Sequence, residues 1–203
     1  MSRGLGDVYK RQTFTRVAAE LEAGLEYKVI KHILNSAGIE RFTDYQMDMV
    51  RLGIGLYGVS ASGQKGLRNI STLKTTILQI QNVPAGDSIG YSRMSYVKRD
   101  SRIAIIPIGY ADGLSRTLSN RMDVLYRGER VRQVGNICMD QFMVAIQSNP
   151  AHEIPEAEYG DEMIIVGRDG DAEITMDEMA RLRGTINYEV ACGFGMRLDK
   201  VYV

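Results

Sequence analysis

The chain has 203 residues, a length that suits one large domain or one domain with part of another. Its 25 basic and 25 acidic residues cancel to a formal net charge of zero, which argues against nucleic acid and membrane surfaces as partners. No apolar run approaches the ~20 residues of a membrane span or forms a secretory leader, and two cysteines are too few for a disulfide framework or a zinc site, which favours a cytoplasmic protein.

The first dozen residues read unlike a protein segment. Residues 7–12 are what the string GATGTGTATAAGAGACAG encodes, and this string resembles a transposon-type sequencing adapter. We therefore predict that residues 1–12 are an assembly artefact and that the native chain is longer at its N-terminus. Re-sequencing of the locus tests this prediction, since the same codons in an unamplified genomic clone would refute it.

The first part of the chain predicts an α/β unit. Residues 14–24 predict a helix, because apolar residues recur at helical spacing and Gly24 can end it. Two mostly apolar stretches at residues 27–34 and 47–57 predict strands, and residues 35–39 form a turn and a helix start between them. A strand, a connector and a second apolar strand favour parallel pairing with both faces buried.

The composition changes at residues 60–66, a polar stretch that predicts a linker. Short β-rich segments separated by glycine turns follow it. They are residues 73–83, 101–108, 121–126, 133–137, 141–146, 162–166 and 200–203. One late helix is predicted at residues 176–183, with Thr175 as its cap and Glu178 completing a capping box. The pattern favours a mostly β domain of barrel-like form after the end of an α/β unit.

Two groups of residues in the first part of the chain suit an anionic ligand. Asn35 and Ser36 follow a predicted strand, where a hydroxyl and backbone N–H groups suit phosphate, although the same residues also suit an ordinary helix cap. Arg51 lies in a predicted buried strand and needs either a ligand or a structural ion pair. Gly53 and Gly55 would let a ligand approach the backbone closely.

Four residues of the β-rich part also lie beside turns. Tyr91 follows a glycine and is a candidate acid/base group, because the positive charge of Arg93 would favour its phenolate. Tyr110 and Met139 lie in turn-rich segments, and Tyr188 has a phenolic hydrogen to donate to an anion. Each of them also fits plain turn chemistry or core packing.

Taken in order, these segments resemble the alanine racemase family. They are HILNSAG at residues 32–38, MVRLGIGLYG at 49–58, IGY at 89–91, PIGYADG at 107–113, NICMDQ at 136–141 and TINYE at 185–189. The resemblance runs from about residue 13 to the C-terminus. It is closest to the Bacteroidetes type, in which the racemase is joined to a ligase of cell-wall synthesis.

The resemblance implies a fold with two parts. The family has an N-terminal (β/α)8 barrel that holds pyridoxal 5'-phosphate (PLP), followed by a mostly β C-terminal domain. Residues 13–66 would then be a remnant of the barrel, with its last strands and helices, and residues 67–203 would be the complete C-terminal β domain. The fold class that this implies is mostly β.

The resemblance also implies a cofactor group. Ser36, the backbone of Gly53 and Ile54, and Tyr188 would hold the cofactor phosphate. Arg51 would face the pyridine nitrogen, and since an arginine hardly gives up its proton, that nitrogen would stay unprotonated.

A second group would act on the substrate. Tyr91 would be one of two catalytic bases, because removing a proton from one face of a carbon and returning it to the other needs two groups. Met139 would contact the substrate carboxylate through its backbone, and Tyr110 would line the entrance. His32 would orient Arg51. In the head-to-tail homodimer of the family, Tyr91, Tyr110 and Met139 would serve the cofactor of the partner.

One expected part is missing. The family attaches its cofactor to a lysine in a Lys-Ala-Asn-Ala-Tyr-Gly type motif, which this sequence lacks, and Lys28 and Lys31 do not match it. The sequence therefore predicts a fragment that is inactive alone, from an enzyme that interconverts L- and D-alanine for peptidoglycan. The alternatives are a racemase of serine or lysine, and a non-catalytic β domain used for dimerisation or binding.

Overall fold

The computed structural model describes residues 3–63, 66–93, 95–146 and 156–203. The chain forms two compact units, Met1–Asn69 (unit 1) and Ile70–Val203 (unit 2). Within the described ranges, no helix combines the length and the apolar character needed to cross a membrane.

Unit 1 is mainly helical. It contains α1 (Arg3–Glu22) and α2 (Ser36–Arg41), with 3₁₀ turns at Thr43–Tyr45 and Ile54–Tyr57. The helix predicted at residues 14–24 is confirmed as far as Glu22, but it begins much earlier. From Arg3 it runs without a break through the described part of the segment predicted to be an artefact, and that prediction stays untested.

The two strands predicted at residues 27–34 and 47–57 were wrong. Asn35 and Arg51 make one isolated parallel bridge, and the Arg51 N–H donates to the Leu34 carbonyl at 2.9 Å. The predicted parallel direction is thus confirmed, but no ladder forms. A strand needs partners for its backbone groups, and besides this bridge the described backbone hydrogen bonds between the two segments are those from the Asp48 and Met49 N–H groups to the Lys31 carbonyl, at 3.2 and 3.3 Å.

The first residues of the predicted linker are held against α2. The Glu40 carboxylate accepts from the Ser60 hydroxyl at 2.6 Å, from the Ala61 N–H at 3.0 Å and from both the N–H and the hydroxyl of Ser62. Burial alone would raise the pKa of Glu40, but the hydrogen bonds from Ser60, Ser62 and Ala61 lower it. An ionised carboxylate therefore fixes the chain at the start of the linker.

Unit 2 is built around one antiparallel sheet. Its strands are β1 (Leu73–Thr76), β2 (Gln79–Val83), β5 (Ser101–Ile106), β6 (Asp123–Tyr126), β7 (Glu129–Val134), β8 (Phe142–Ile146), β9 (Glu162–Asp169) and β10 (Ala172–Ile174). The order is β1-β9-β6-β7-β8-β5-β2, with β10 paired to β9, and a separate hairpin joins β3 (Ser88–Ile89) to β4 (Ser95–Tyr96). The mostly β fold predicted from the sequence is confirmed.

The sheet closes on itself through one continuous segment. β1 pairs with β9, and β2, which follows it after two residues, pairs with β5 at the other end of the strand order. At the change of partner the Ile77 N–H donates to the Asp161 carbonyl and the Leu78 N–H to the Ile105 carbonyl, both at 2.9 Å. This closure agrees with the predicted barrel-like form, because one continuous segment joins both ends of the strand order.

Tyr126 of β6 belongs to a polar network in the interior of the sheet. Tyr126 is fully buried, and its hydroxyl donates to the Asp161 carboxylate at 2.7 Å. Burial and this hydrogen bond raise the pKa of Tyr126 to about 12. The same carboxylate accepts from the Glu158 N–H at 2.9 Å and from Arg127 at 3.2 Å, so the buried phenol has a fully bonded partner.

Two helices follow the sheet, α3 (Met176–Arg183) and α4 (Asn187–Gly193). The predicted cap of α3 is confirmed, because Thr175 Oγ1 accepts from the Glu178 N–H at 3.0 Å. The predicted capping box was wrong in its second half, because the Glu178 carboxylate bonds Arg130 of β7 at 2.7 and 2.8 Å instead. α4 was not predicted, and the strand predicted at residues 200–203 does not form.

The ion pair between Glu178 and Arg130 should make stability depend on pH. The hydrogen bond from Arg130 lowers the pKa of Glu178 below its ordinary 4.5, so its stabilisation is present above that pH and is lost as pH falls through the lower folded value. We expect Glu178→Gln to reduce the free energy of unfolding at pH 7 by about 1 kcal/mol, a value limited by solvent screening of Arg130. The difference should vanish in acid, because a protonated Glu178 resembles glutamine.

Urea unfolding at pH 7 and at pH 3 to 4 measures this difference. Glu162→Gln is the matched control, because Glu162 pairs with Lys74 at 2.7 Å but both side chains are more than half exposed. A difference that stays constant with pH would contradict the expected linkage.

Candidate active site

Ser36 begins α2 and is the centre of the candidate cofactor group in unit 1. Asn35 precedes it as the N-cap, and its Oδ1 accepts from the Gly38 N–H at 3.0 Å. The Ser36 side chain is buried, and its Oγ accepts from the N–H groups of Gly53 at 2.9 Å and Gly55 at 3.4 Å. The fold therefore brings Ser36 and Gly53, two of the predicted cofactor residues, into direct contact.

This arrangement leaves hydrogen-bond donors for an anion. A hydroxyl has two lone pairs and one hydrogen, and the oxygen of Ser36 already faces two N–H groups. Its hydrogen has no acceptor in the described part of the chain, and neither has the N–H of Ile54, which begins the following 3₁₀ turn. The Gly53 N–H is committed to Ser36, so a phosphate would have to share it.

A cavity of about 280 Å³ opens in unit 1 at the start of α2, lined by Asn35 and Gly38 but not by Ser36 or the 3₁₀ turn that follows Gly53. Its lining includes four cationic side chains and no acidic one, namely Lys10, Arg11, Arg41 and Arg51. Arg11 lies over the Tyr45 ring, 3.8 Å from its centre. This concentration of positive charge suits an anionic group. Lys10 and Arg11 belong to the segment predicted to be an artefact, and under that prediction the native part of this charge would come from Arg41 and Arg51.

Arg51 is exposed, which corrects the expectation of an arginine in a buried strand. Its Nη2 donates to the Ile33 carbonyl at 2.9 Å, and none of the described contacts joins it to His32. His32 Nδ1 is buried and lacks a hydrogen-bond partner among the described residues. A buried ring nitrogen without a partner costs free energy.

Of the two lysines that precede Ser36, Lys31 is unsuited to attachment of a cofactor. Lys31 Nζ pairs with the Glu22 carboxylate at 3.0 Å, and this hydrogen bond raises the pKa of Lys31. A protonated ammonium group is a poor nucleophile. Lys28 is exposed.

In unit 2, Tyr91 lies at the tip of the β3–β4 hairpin. It begins the 3₁₀ turn Tyr91–Arg93, and 72% of its surface is exposed. The base of the hairpin is anchored, because Ile89 belongs to a buried cluster with Met143 and a Cβ added at Gly90 would lie 2.9 Å from the Met143 Cε. The described residues provide no hydrogen bond between Tyr91 and Arg93, and the assistance expected from Arg93 stays a prediction.

The turns that carry Tyr110 and Met139 contact each other through their backbones. The Tyr110 N–H donates to the Cys138 carbonyl and the Ala111 N–H to the Met139 carbonyl, both at 3.0 Å. A Cβ added at Gly109 would overlap the Met139 carbonyl, so the two backbones pack as closely as glycine allows. The Met139 N–H has no acceptor among the described residues, which leaves it for a ligand.

Tyr188 is the second residue of α4 and is half-buried. Its neighbour Asn187 is buried and donates from Nδ2 to the Asp177 Oδ1 at 2.7 Å, which ties the start of α4 to α3. The role expected for Tyr188 at the cofactor phosphate stays a prediction.

Both units match models of known domains. The model of the alanine racemase C-terminal domain matches residues 70–202, and that of the alanine racemase N-terminal domain matches residues 7–61. The chain belongs to the alanine racemase family. Alanine racemase 2 of Caldanaerobacter subterraneus subsp. tengcongensis is 41% identical over 96% of this chain and 51% of its own length. The alanine racemase of Desulfovibrio desulfuricans is 40% identical over 94% of this chain and 50% of its own length.

Solved alanine racemases have the same fold. The enzyme of Clostridium difficile 630 in complex with cycloserine superposes with a TM-score of 0.83 at 38% identity, over 96% of this chain and 51% of that one. The enzyme of Bartonella henselae, whose structure contains covalently bound pyridoxal phosphate, gives a TM-score of 0.82 at 28% identity, over 100% of this chain and 55% of that one. This alanine racemase family member thus spans about half the length of the relatives it matches.

Sequence reasoning missed one feature of these turns. Arg197 forms an ion pair with Asp112, which follows Tyr110 by two residues, and another with Asp140, which follows Met139 directly. Asp112 and Asp140 lie within the quoted motifs, but nothing in the sequence near Arg197 indicates its partners. One signal of this bridge was present in the sequence. The motifs at residues 107–113 and 136–141 each contain an aspartate and no basic residue.

Proposed function

We propose that this chain is the C-terminal part of a PLP-dependent racemase that interconverts L- and D-alanine. The observation that carries the proposal is the pair of backbone N–H groups, of Ile54 and Met139, that lack an acceptor among the described residues. A phosphate on the cofactor and a carboxylate on the amino acid are two anions that such donors would bind. Likeness to alanine racemases over nearly the whole chain supports the proposed reaction.

Unit 1 would hold the phosphate end of the cofactor. The Ser36 hydroxyl, the Ile54 N–H and a shared Gly53 N–H would donate to phosphate oxygens, and the positive charge of Arg41 and Arg51 would stabilise them. Arg51 would donate to the pyridine nitrogen without giving up its proton. Tyr188 would add a phenolic donor. The residues present therefore fit the phosphate group of PLP.

Unit 2 would act on the amino acid. When bound, PLP supplies the electron sink that delocalises the charge left on the α-carbon after its proton is removed. Tyr91 would take or return this proton on one face, for which its exposed position at a hairpin tip makes it accessible. The Met139 N–H would hold the substrate carboxylate, and Tyr110 would line the entrance. In a homodimer these residues would serve the partner's cofactor.

The sequence lacks the lysine motif to which the family attaches its cofactor, so we expect the chain alone to be inactive. The test compares the chain alone with a fusion in which the N-terminal half of the Desulfovibrio desulfuricans relative precedes residue 13. With PLP and L-alanine, formation of D-alanine is followed by circular dichroism. We expect no turnover above background for the chain alone and clear turnover for the fusion.

A control fusion carries alanine in place of the attachment lysine and should be inactive. Turnover by the pure chain would contradict the proposal that it lacks a catalytic group. A folded, PLP-loaded fusion that does not racemise alanine would refute the proposed reaction, and testing serine and lysine on the same fusion decides between amino acids. A non-catalytic binding domain is the outcome if none reacts.

The remaining expectations are proposals of the same kind. We propose that the enzyme supplies D-alanine for peptidoglycan and that its gene is fused to that of a cell-wall ligase. The genomic context tests both proposals. Reading the locus upstream of residue 13 tests both this context and the prediction that residues 1–12 are an artefact. A continuous frame with the lysine motif favours the enzyme, whereas a native stop codon and start codon there favour a binding role.

A further inference from the structure

The turns of Tyr110 and Met139 each carry a carboxylate, that of Asp112 in the first and that of Asp140 in the second. Asp112 closes the first turn, because its Oδ2 accepts from the Gly109 N–H at 2.8 Å. It is buried, with 8% of its side chain exposed. Asp140 directly follows Met139 and is exposed. Two carboxylates on turns packed this closely repel each other unless a cation lies between them.

Arg197 supplies that cation from the segment after α4. Its Nε lies 3.3 Å from the Asp112 Oδ1, and its Nη2 donates to the Asp140 Oδ1 at 2.7 Å. One guanidinium therefore bridges both turns, using donors on two different nitrogens. The planar fork of an arginine can do this, whereas the point charge of a lysine would reach both carboxylates less well.

The segment that carries Arg197 is itself packed on the first turn. A Cβ added at Gly113 would overlap the Gly193 carbonyl, so the end of α4 leaves no space beside this turn. Apart from Arg197, the described links between the two turns are the backbone hydrogen bonds of Tyr110 and Ala111 and the close packing of Gly109 on the Met139 carbonyl. Loss of the guanidinium would leave Asp112 buried without its cation and would let the two turns shift relative to each other.

We propose that Arg197 is a positioning residue for racemisation, which holds the Met139 N–H and the Tyr110 side chain in the relative position that the substrate needs. The proposal rests on the proposed function of those two residues. Arg197 does not itself contact the substrate. It acts by setting the distance between the Met139 N–H, which would bind the substrate carboxylate, and Tyr110, which would line the entrance. Its loss therefore affects substrate binding more than the chemical step.

The test uses the active fusion and three variants. Arg197→Met keeps the length of the side chain without its charge, and Arg197→Lys restores a charge. Arg168→Met is the matched control, because it removes another exposed arginine that pairs with a carboxylate, Glu173, at 3.2 Å. We expect Arg197→Met to raise KM for alanine about tenfold in both directions and to change kcat by less than about threefold. Arg197→Lys should recover part of the loss.

Unchanged KM in Arg197→Met, or an equal rise in Arg168→Met, overturns the proposal. A second measurement does not need activity. In this chain, hydrogen exchange of the Tyr110 and Ala111 amides should become at least about tenfold faster in Arg197→Met than in Arg168→Met. Equal exchange rates also overturn the positioning role. An inactive fusion with accelerated exchange in Arg197→Met rejects the proposed function but leaves the bridge itself supported.

Discussion

Replacing Tyr91 by phenylalanine in the active fusion should lower the rate of alanine racemisation by about 10²- to 10³-fold. Phenylalanine keeps the ring at the hairpin tip but removes the oxygen that would carry the proton. The two enantiomers have equal free energy, so kcat/KM must fall equally in both directions, and this quantity does not identify the face on which Tyr91 acts. Exchange of the α-hydrogen with solvent deuterium identifies that face.

We expect one enantiomer to keep exchanging in Tyr91→Phe without being converted, because the base on the opposite face is intact. The other enantiomer should lose exchange and conversion together. Mass spectrometry of each enantiomer recovered from D₂O measures this. Tyr96→Phe is the control, because Tyr96 is 61% exposed on β4 of the same hairpin and has no proposed role. A loss of twofold or less in racemisation, or equal loss of exchange in both enantiomers, would exclude Tyr91 as a base for one face.

The second large effect concerns stability. Gly109→Ala should reduce the free energy of unfolding of unit 2 by about 3 kcal/mol, because the added Cβ overlaps the Met139 carbonyl and backbone atoms cannot rotate away. Backbone strain is not the cause, since the φ of Gly109 is −143°, which alanine readily adopts. The turns would have to separate, and the hydrogen bonds from Tyr110 and Ala111 would lengthen.

Urea unfolding followed by circular dichroism measures the loss. Gly195→Ala is the matched control, because a Cβ there meets no atom within 4 Å. It should change the free energy of unfolding by less than about 0.5 kcal/mol. If Gly109→Ala proved as stable as Gly195→Ala, the turns would not pack as closely as the structure indicates.

The sequence predicted unit 2 better than unit 1. β-forming residues between glycine turns identified most strands of the closed sheet, because short-range composition reflects which segments are half-buried. The strands β3 and β4 have two residues each, which is too short to show the alternation of apolar and polar residues that predicts a strand. Residues 27–34 and 47–57 have the composition of buried strands, but a ladder also needs neighbours, and composition carries no information about those.

The candidate site shows the same limit. Motif order identified Ser36 and Gly53, which the structure brings into contact, and Tyr110 and Met139, whose turns it brings together. Their catalytic roles stay predictions. The link from Arg197 to Asp140 spans 57 positions, and an isolated arginine near the C-terminus has many carboxylates within reach of a folded chain. Only the folded structure identifies which of these carboxylates Arg197 binds.

The change of partner at Ile77 has a consequence for biosynthesis. β1 is made early, yet its partner β9 ends at Asp169, with Leu73 paired to Val166. During translation the β2–β5 pair can therefore form long before β1 has anything to pair with. Until β9 leaves the ribosome, β1 is an unpaired strand, and a nascent chain stalled before this point would expose it to pairing with other molecules.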